Sequence, residues 1–190
     1  MIRIVLFLLA GFSLILQNTA TAEQWRSDTN LLPQYCKDRV KGLSSPEFLR
    51  WRGTLGTVFE HAHHYCSGIY SEQKAKSTID AKTKKLYLRG VAGEMAYVSK
   101  HCSTNCALYP ELHTRWGWAL GESGQHGEAI SHFQKAIKVK PKYVPAYAKL
   151  ADVYVDIKQP EEARKILEQG LKAKPGSRML KRRLKELGKG

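Results

Sequence analysis

Hydrophobic and small residues repeat with a period of 34 positions in the second half of the chain. The first unit covers residues 110–143 and the second covers residues 144–177, with nothing inserted between them. Within each unit the apolar residues follow helical spacing, so each unit predicts two amphipathic helices joined by a short turn. The apolar positions of the two first helices are Trp116, Leu120, Tyr147, Leu150 and Tyr154.

Glycine, proline and serine residues predict where these helices begin and end. Gly124 and Pro160 predict the turns between the paired helices, and Ser177 can cap a last helix that runs to Leu187. The prolines that end the second helix of each unit are Pro141 and Pro175. The apolar face of the last helix is predicted at Met179, Leu180, Leu184 and Leu187.

Aligning the two units pairs residues of similar size at five positions. The order along each unit is small, small, large, small and proline, and this order resembles the tetratricopeptide repeat family. The pairs are Gly117 with Ala151, Ala129 with Ala163, Phe133 with Leu167, Ala136 with Gly170, and Pro141 with Pro175. The resemblance implies an all-α fold. It would be a right-handed solenoid of helical hairpins, in which residues 178–190 form a capping helix that is polar outside.

The resemblance also implies a partner-binding surface. In tetratricopeptide repeats the first helices of the hairpins line a concave side that holds segments of other proteins. The family positions on that side fall on Thr114, Trp118, Glu122, Ala148, Asp152 and Asp156. We expect Trp118 to be an exposed aromatic anchor beside three carboxylates, on a face that takes a segment bearing Lys or Arg. The alternative is that these are ordinary exposed residues.

Two clear repeats are too few to bury a continuous core, so residues 23–109 must supply further packing. Ser45 predicts a helix start, and the apolar stripe after it predicts one helix to about Gly68. A polar connector follows, and then a second helix from about Ser77 to Lys100, with Ile79, Leu86, Val91, Met95 and Val98 on its apolar face. We expect these two helices to stack on the first repeat as a degenerate pair.

The sequence EHAHHYCSG, near the end of the first of these helices, raises the question of a metal site. On a continuous helix its three histidines point to three different sides, so they cannot all bind one ion. His61 and His64 can share an ion, with His101 or His113 as a further ligand. The interpretation we favour is that these histidines are surface and boundary residues of a packed helix. No cofactor is predicted.

The chain has four cysteines: Cys36, Cys66, Cys102 and Cys106. If the chain is exported, an even number of cysteines indicates two disulfides, and the sequence leaves three pairings open. The pairing we prefer joins Cys36 to Cys66 and Cys102 to Cys106. The place of Cys66 at the centre of an apolar stripe favours a disulfide partner over a thiol nucleophile.

The start of the chain resembles a secretory leader. Arg3 precedes an apolar run, which ends in Ala20-Thr21-Ala22, and this pattern is typical of a signal peptide cleaved after Ala22. The run is about 15 residues long, shorter than the roughly 20 that span a bilayer. We therefore expect residues 23–190 to be a periplasmic or secreted protein without a transmembrane helix.

The charge of the chain widens the choice of partners. Its 31 Lys and Arg against 17 Asp and Glu give a net charge of +14. Such a surface attracts anionic lipid or acidic polysaccharide, whereas export argues against nucleic acid as the partner. The simpler alternative is a solvated face that keeps the protein soluble.

The chain contains no nucleophile elbow, phosphate-binding loop, paired catalytic carboxylates or zinc-protease motif. We therefore expect a non-enzymatic scaffold that binds a protein or peptide in the cell envelope. The alternatives are binding of a polyanion or the envelope surface through the basic face, and metal binding by His61 and His64.

Overall fold

The computed structural model describes residues 25–26 and 28–188. Within these ranges the chain forms helices and loops and no strand, which confirms the all-α prediction. The α-helices are α1 (Gln34–Arg39), α2 (Pro46–Leu55), α3 (Ala62–Ser77), α4 (Ala81–Ser99), α5 (Tyr109–Glu122), α6 (His126–Val139), α7 (Val144–Asp156), α8 (Pro160–Ala173) and α9 (Arg178–Leu187). A 3-10 helix, Thr57–His61, precedes α3.

Helices α3 to α8 form three hairpins that stack in chain order. α3 packs on α4, α5 on α6 and α7 on α8, and each hairpin packs against the next. The first helices of the hairpins, α3, α5 and α7, also contact one another in order, and α9 continues the series by packing on α7 and α8. We call the face formed by α3, α5, α7 and α9 the inner face.

Glycines allow the paired helices to approach closely. A Cβ atom on Gly117 of α5 would lie 3.0 Å from the carbonyl oxygen of Ala129 and 3.0 Å from a ring carbon of Phe133, both on α6. Gly68 has the same role in the preceding hairpin, because a Cβ atom there would collide with the side chain of Met95 on α4. A larger residue at Gly117 would therefore press α5 away from the backbone of α6, whereas one at Gly68 would first displace the flexible end of the Met95 side chain.

The prediction of one continuous helix from Ser45 to about Gly68 is wrong. The helix that Ser45 caps ends before Gly56, whose φ of 81° is a left-handed conformation that favours glycine. The chain restarts through the 3-10 helix, and α3 then continues to Ser77, so that Gly68 lies inside it. The polar segment 71–77, predicted as a connector, is helical, and its Glu72–Lys76 pair has the one-turn spacing that stabilises a helix.

The helix predicted from about Ser77 begins later, at α4. Asp80 caps it by accepting a hydrogen bond of 2.7 Å from the backbone N–H of Thr83. Ile79 therefore precedes the helix and is fully exposed, and Leu86 is half exposed. The buried part of the predicted apolar face is Val91, Met95 and Val98.

Two disulfides are present, in the pairing preferred from the sequence. Cys36–Cys66 ties α1 to α3, and Cys102–Cys106 closes the loop between α4 and α5. These two bonds use all four cysteines, so Cys66 is not available as a thiol nucleophile.

The predicted signal peptide, residues 1–22, lies outside the described residues. In the part of the chain that is described, no helix has both the length and the apolar character needed to cross a bilayer.

Candidate partner-binding site

The part of the inner face formed by α3 and α5 is covered. Thr114 and Trp118 of α5 are both buried, each with 7% of its surface exposed. The ammonium group of Lys76, on α3, lies 4.8 Å from the centre of the Trp118 ring. The Thr114 hydroxyl donates a 2.7 Å hydrogen bond to the carbonyl oxygen of Pro110. The expectation of an exposed aromatic anchor at Trp118 is therefore wrong, because α3 packs beside α5 and covers this side chain.

Ion pairs between α3 and α5 close the same region. The Arg115 guanidinium donates to the Glu111 carboxylate over 3.0 and 2.7 Å, and it also contacts Glu72 of α3. Glu72, only 6% exposed, pairs in turn with Lys76, the residue that covers Trp118. The buried Glu72 carboxylate and the half-buried Arg115 and Glu111 are therefore paired with one another or with Lys76, and we do not expect them to bind a partner.

The part of the inner face formed by α7 and α9 is more open. On α7, Ala148 is buried, Asp152 is half-buried and Asp156 is exposed. The Arg183 guanidinium of α9 contacts Asp152, and the Lys149 ammonium lies 3.5 Å from the same carboxylate. Burial raises the pKa of Asp152, and the two cations oppose that rise. Asp156 stands outside these ion pairs.

Glu122 occupies the same place on α5 as Asp156 on α7, one repeat earlier. It is exposed, and its carboxylate lies 2.6 Å from the ammonium group of Lys84 on α4. Of the six residues expected to bind a partner, three therefore keep a carboxylate at the surface: Glu122, Asp152 and Asp156.

A cleft of about 850 Å³ opens beside Asp152 and Asp156, between α7, α8 and α9. Its apolar lining is Ala151, Val155, Ala163, Leu167 and Leu187, and its charged lining is Asp152, Asp156, Lys158, Arg183 and Glu186. The cleft exists because α9 is only ten residues long and is anchored near its start. There Leu180 fills the space beside Tyr147 and Gly170. Met179, predicted on the apolar face of α9, is instead 43% exposed.

The repeat pattern places Asp152 and Asp156 on a binding face but gives no sign of the contribution of α9. Arg183 was part of a basic run and gave no sign of its contact with Asp152. The signal that could have found the cleft is the length of the cap. A ten-residue helix cannot cover the full length of a hairpin whose helices have 13 and 14 residues.

The structure does not bring His61 and His64 together as ligands. His61 stacks on His101 with ring centres 3.6 Å apart, and His64 pairs with the carboxylate of Glu94 at 2.7 Å. Parallel stacked rings direct their nitrogen lone pairs side by side rather than towards one point. No group of three or more His, Cys, Asp or Glu residues in the described ranges is placed to hold one metal ion.

A second histidine pair is buried inside the first repeat. His113 of α5 and His132 of α6 are 5% and 7% exposed, and their Nδ1 atoms lie 2.8 Å apart, so one ring must donate a proton to the other. The ring centre of Trp116 is 4.1 Å from that of His132. Burial, with smaller contributions from nearby Lys135 and, for His132, from His113, lowers the pKa of both histidines to about 4. This pair is a neutral element of the core.

Comparison with known proteins agrees with this architecture. Residues 122–184 match the model of the tetratricopeptide repeat family. A thermophilic tetratricopeptide repeat protein of Thermus thermophilus has 16% identity and a TM-score of 0.60, over 79% of this chain and 84% of that one. This likeness shows that the two chains share a fold.

Two further solved structures are more distant. The tetratricopeptide repeat domain of Arabidopsis OM64 has 17% identity and a TM-score of 0.46, over 66% of this chain and 98% of that one. YrrB, described as a repeat protein of this type with an unusual peptide-binding site, has 11% identity and a TM-score of 0.47, over 86% and 88%. The search of curated proteins found no match.

Proposed function

We propose that the chain is a non-enzymatic, exported scaffold, because residues 122–184 match the tetratricopeptide repeat family. Its partner is a protein or peptide of the cell envelope, and the partner binds in the cleft between α7, α8 and α9. The cleft is the observation that carries this proposal. It combines an apolar floor with a rim of three carboxylates, Asp152, Asp156 and Glu186, and two cations. A partner segment fits there if it supplies apolar side chains and a Lys or Arg.

The two aspartates of the rim differ in their availability to a partner. Arg183 already forms an ion pair with Asp152, so we expect the partner's cation to pair mainly with Asp156. Exposed Val155 lies on the same helix, one residue before Asp156, and provides apolar contact. Thr114, Trp118 and Ala148 support the face from beneath, because their side chains are buried.

Two features support the exported location. The first is the leader-like sequence of residues 1–22. The second is the use of all four cysteines in two disulfides, which form and persist in oxidising compartments. The metal-binding alternative has no such support, because His61 and His64 have separate partners.

The test is capture of envelope proteins with the chain from Glu23 onward as bait, followed by affinity measurement for the captured protein. Asp156→Lys should weaken binding by about tenfold, since it reverses the charge that meets the partner's cation. The matched control is Glu128→Lys, which makes the same charge change at an exposed residue that does not line the cleft.

If Glu128→Lys weakens binding as much as Asp156→Lys does, the effect is one of net charge and the cleft is not the site. If both variants bind as the wild type does, the partner uses another surface.

A further inference from the structure

The loops between successive hairpins, which we call corners, and the helix ends beside them carry a group of exposed cations that do not line the cleft. We call this group the basic edge, and it consists of Lys138, Lys140, Lys142, Lys172, Lys174 and Arg178. The first three lie at the α6–α7 corner and the others at the α8–α9 corner. Lys138 and Lys140 recur one repeat later as Lys172 and Lys174, so the stacked hairpins present them at the same end.

Both corners lie in stretches of the chain without carboxylates. No Asp or Glu occurs between Glu128 and Asp152, or between Glu168 and Glu186. The ion pairs of the repeats, such as Lys165 with Glu162, lie elsewhere. By contrast, the opposite ends of the same hairpins carry five carboxylates: Glu122, Glu128, Asp156, Glu161 and Glu162. Three of these five carboxylates, Glu122, Glu161 and Glu162, pair with a cation. The repeats are therefore basic at one end and of mixed charge at the other.

Helix stability explains only part of this arrangement. Cations near the C-terminal end of a helix interact favourably with its dipole, which accounts for Lys138 in α6 and Lys172 in α8. Arg178, however, is the first residue of α9, and the first turn of that helix has no acidic residue. Lys142 just precedes α7, whose first turn also has none. At these positions a cation opposes the dipole, so local stability does not account for it.

We propose that the basic edge binds an anionic lipid surface. Its cations come from two corners one repeat apart, and none of them lines the cleft. A ligand that meets both corners at once presents negative charge over a wide area, as a bilayer of anionic lipids does. Met179, beside Arg178, is 43% exposed and offers an apolar side chain at the same corner, as proteins that lie on bilayers do. This apolar contact favours a lipid surface over a soluble polyanion. The proposal stands independently of the cleft.

The experiment measures binding to vesicles by co-sedimentation. The protein used begins at Glu23, which keeps every described residue and removes an apolar leader that would bind lipid by itself. We expect binding to vesicles that contain phosphatidylglycerol, not to pure phosphatidylcholine, and a steep loss as salt rises. Replacing Lys140, Lys172 and Lys174 by Gln should weaken binding about tenfold or more at 0.1 M salt.

The matched control replaces Lys82, Lys85 and Arg89 by Gln, which removes three exposed cations from α4. Its binding should change less than threefold, and both variants should keep the wild-type melting temperature. Equal losses in the two variants would show that net charge alone drives binding, and would overturn the proposal. Binding to soluble polyphosphate with none to anionic vesicles would also overturn it.

Discussion

Trp118 lies on the inner face with the Lys76 ammonium group over its ring, and only 7% of its surface reaches solvent. Its indole belongs to the same core cluster as Leu120 and Val153. Changing Trp118 to Ala should lower the free energy of unfolding by about 3 kcal/mol or more, since it leaves a large cavity in packed surroundings. Chemical denaturation followed by circular dichroism measures this loss.

The control for Trp118→Ala is Leu86→Ala, at a residue that is 50% exposed. It should change the free energy of unfolding by less than about 0.5 kcal/mol. If Trp118→Ala leaves stability unchanged and abolishes partner binding, the side chain is an exposed anchor after all.

The repeat pattern could assign Trp118 to the inner face but could not show that the face is covered there. The covering residue, Lys76, lies in a segment that reads as a polar connector and carries no repeat signature. Burial of a side chain on a solenoid depends on the neighbouring hairpin. That neighbour was not recognisable from its own sequence.

The buried His113–His132 pair makes stability depend on pH. Folding lowers the pKa of both groups from 6.5 to about 4, so the unfolded chain binds more protons between these values. The free energy of unfolding should therefore fall as pH drops from about 6.5 towards 4, by about 2 kcal/mol for each histidine at pH 5. Denaturation at pH 7 and pH 5 measures this fall.

Replacing both residues, as His113→Leu with His132→Leu, removes the pair without leaving one ring unpaired. The loss of stability between pH 7 and pH 5 should shrink but not vanish, because burial also lowers the pKa of His63 to about 4. A double variant with the pH dependence of the wild type would mean that the pair is not the acid-sensitive element.

Among the elements, the N-terminal helices depend on a covalent link. Cys36–Cys66 closes a loop of 30 residues between α1 and α3, whereas Cys102–Cys106 closes one of four. Replacing Cys36 and Cys66 by Ala should cost about 3–4 kcal/mol, and replacing Cys102 and Cys106 about 2 kcal/mol, since a longer loop gains more freedom when the link is removed. Thermal unfolding of the two variants measures the difference. Equal losses would contradict this entropic account.

Helix existence was more predictable than helix continuity. The caps at Ser45 and Ser177 and the turn at Gly124 follow from local chemistry, and the structure has all three. The break at Gly56 was missed because the apolar stripe runs through it in helical register. The period of the apolar residues shows which side chains point towards the core. A short 3-10 segment can keep its apolar side chains on the same side while it interrupts the α-helix, so the period does not reveal the break.

At the scale of the whole molecule, two repeats alone were expected to bury too small a core. The α3–α4 hairpin supplies the additional packing. It stacks on α5 as the following hairpins stack on one another. Its small positions, Gly68 and Gly90, face Met95 and Ser71 across the pair. These residues do not fall at the spacing of the later repeats, because α3 and α4 have 16 and 19 residues where α5 and α6 have 14 each. A pattern defined by a fixed period could not reveal a longer hairpin.

Cations are concentrated at one end of the repeats and are mixed with carboxylates at the other, so the molecule has an electric dipole moment with a component along its hairpins. Near a charged surface such a dipole experiences a torque, which turns the protein before any atom touches. The field that exerts it extends about one screening length, roughly 8 Å at 0.15 M salt. Collisions that begin in the correct orientation raise the association rate. The corner lysines would then govern how fast the protein reaches an anionic surface, and not only how firmly it stays there.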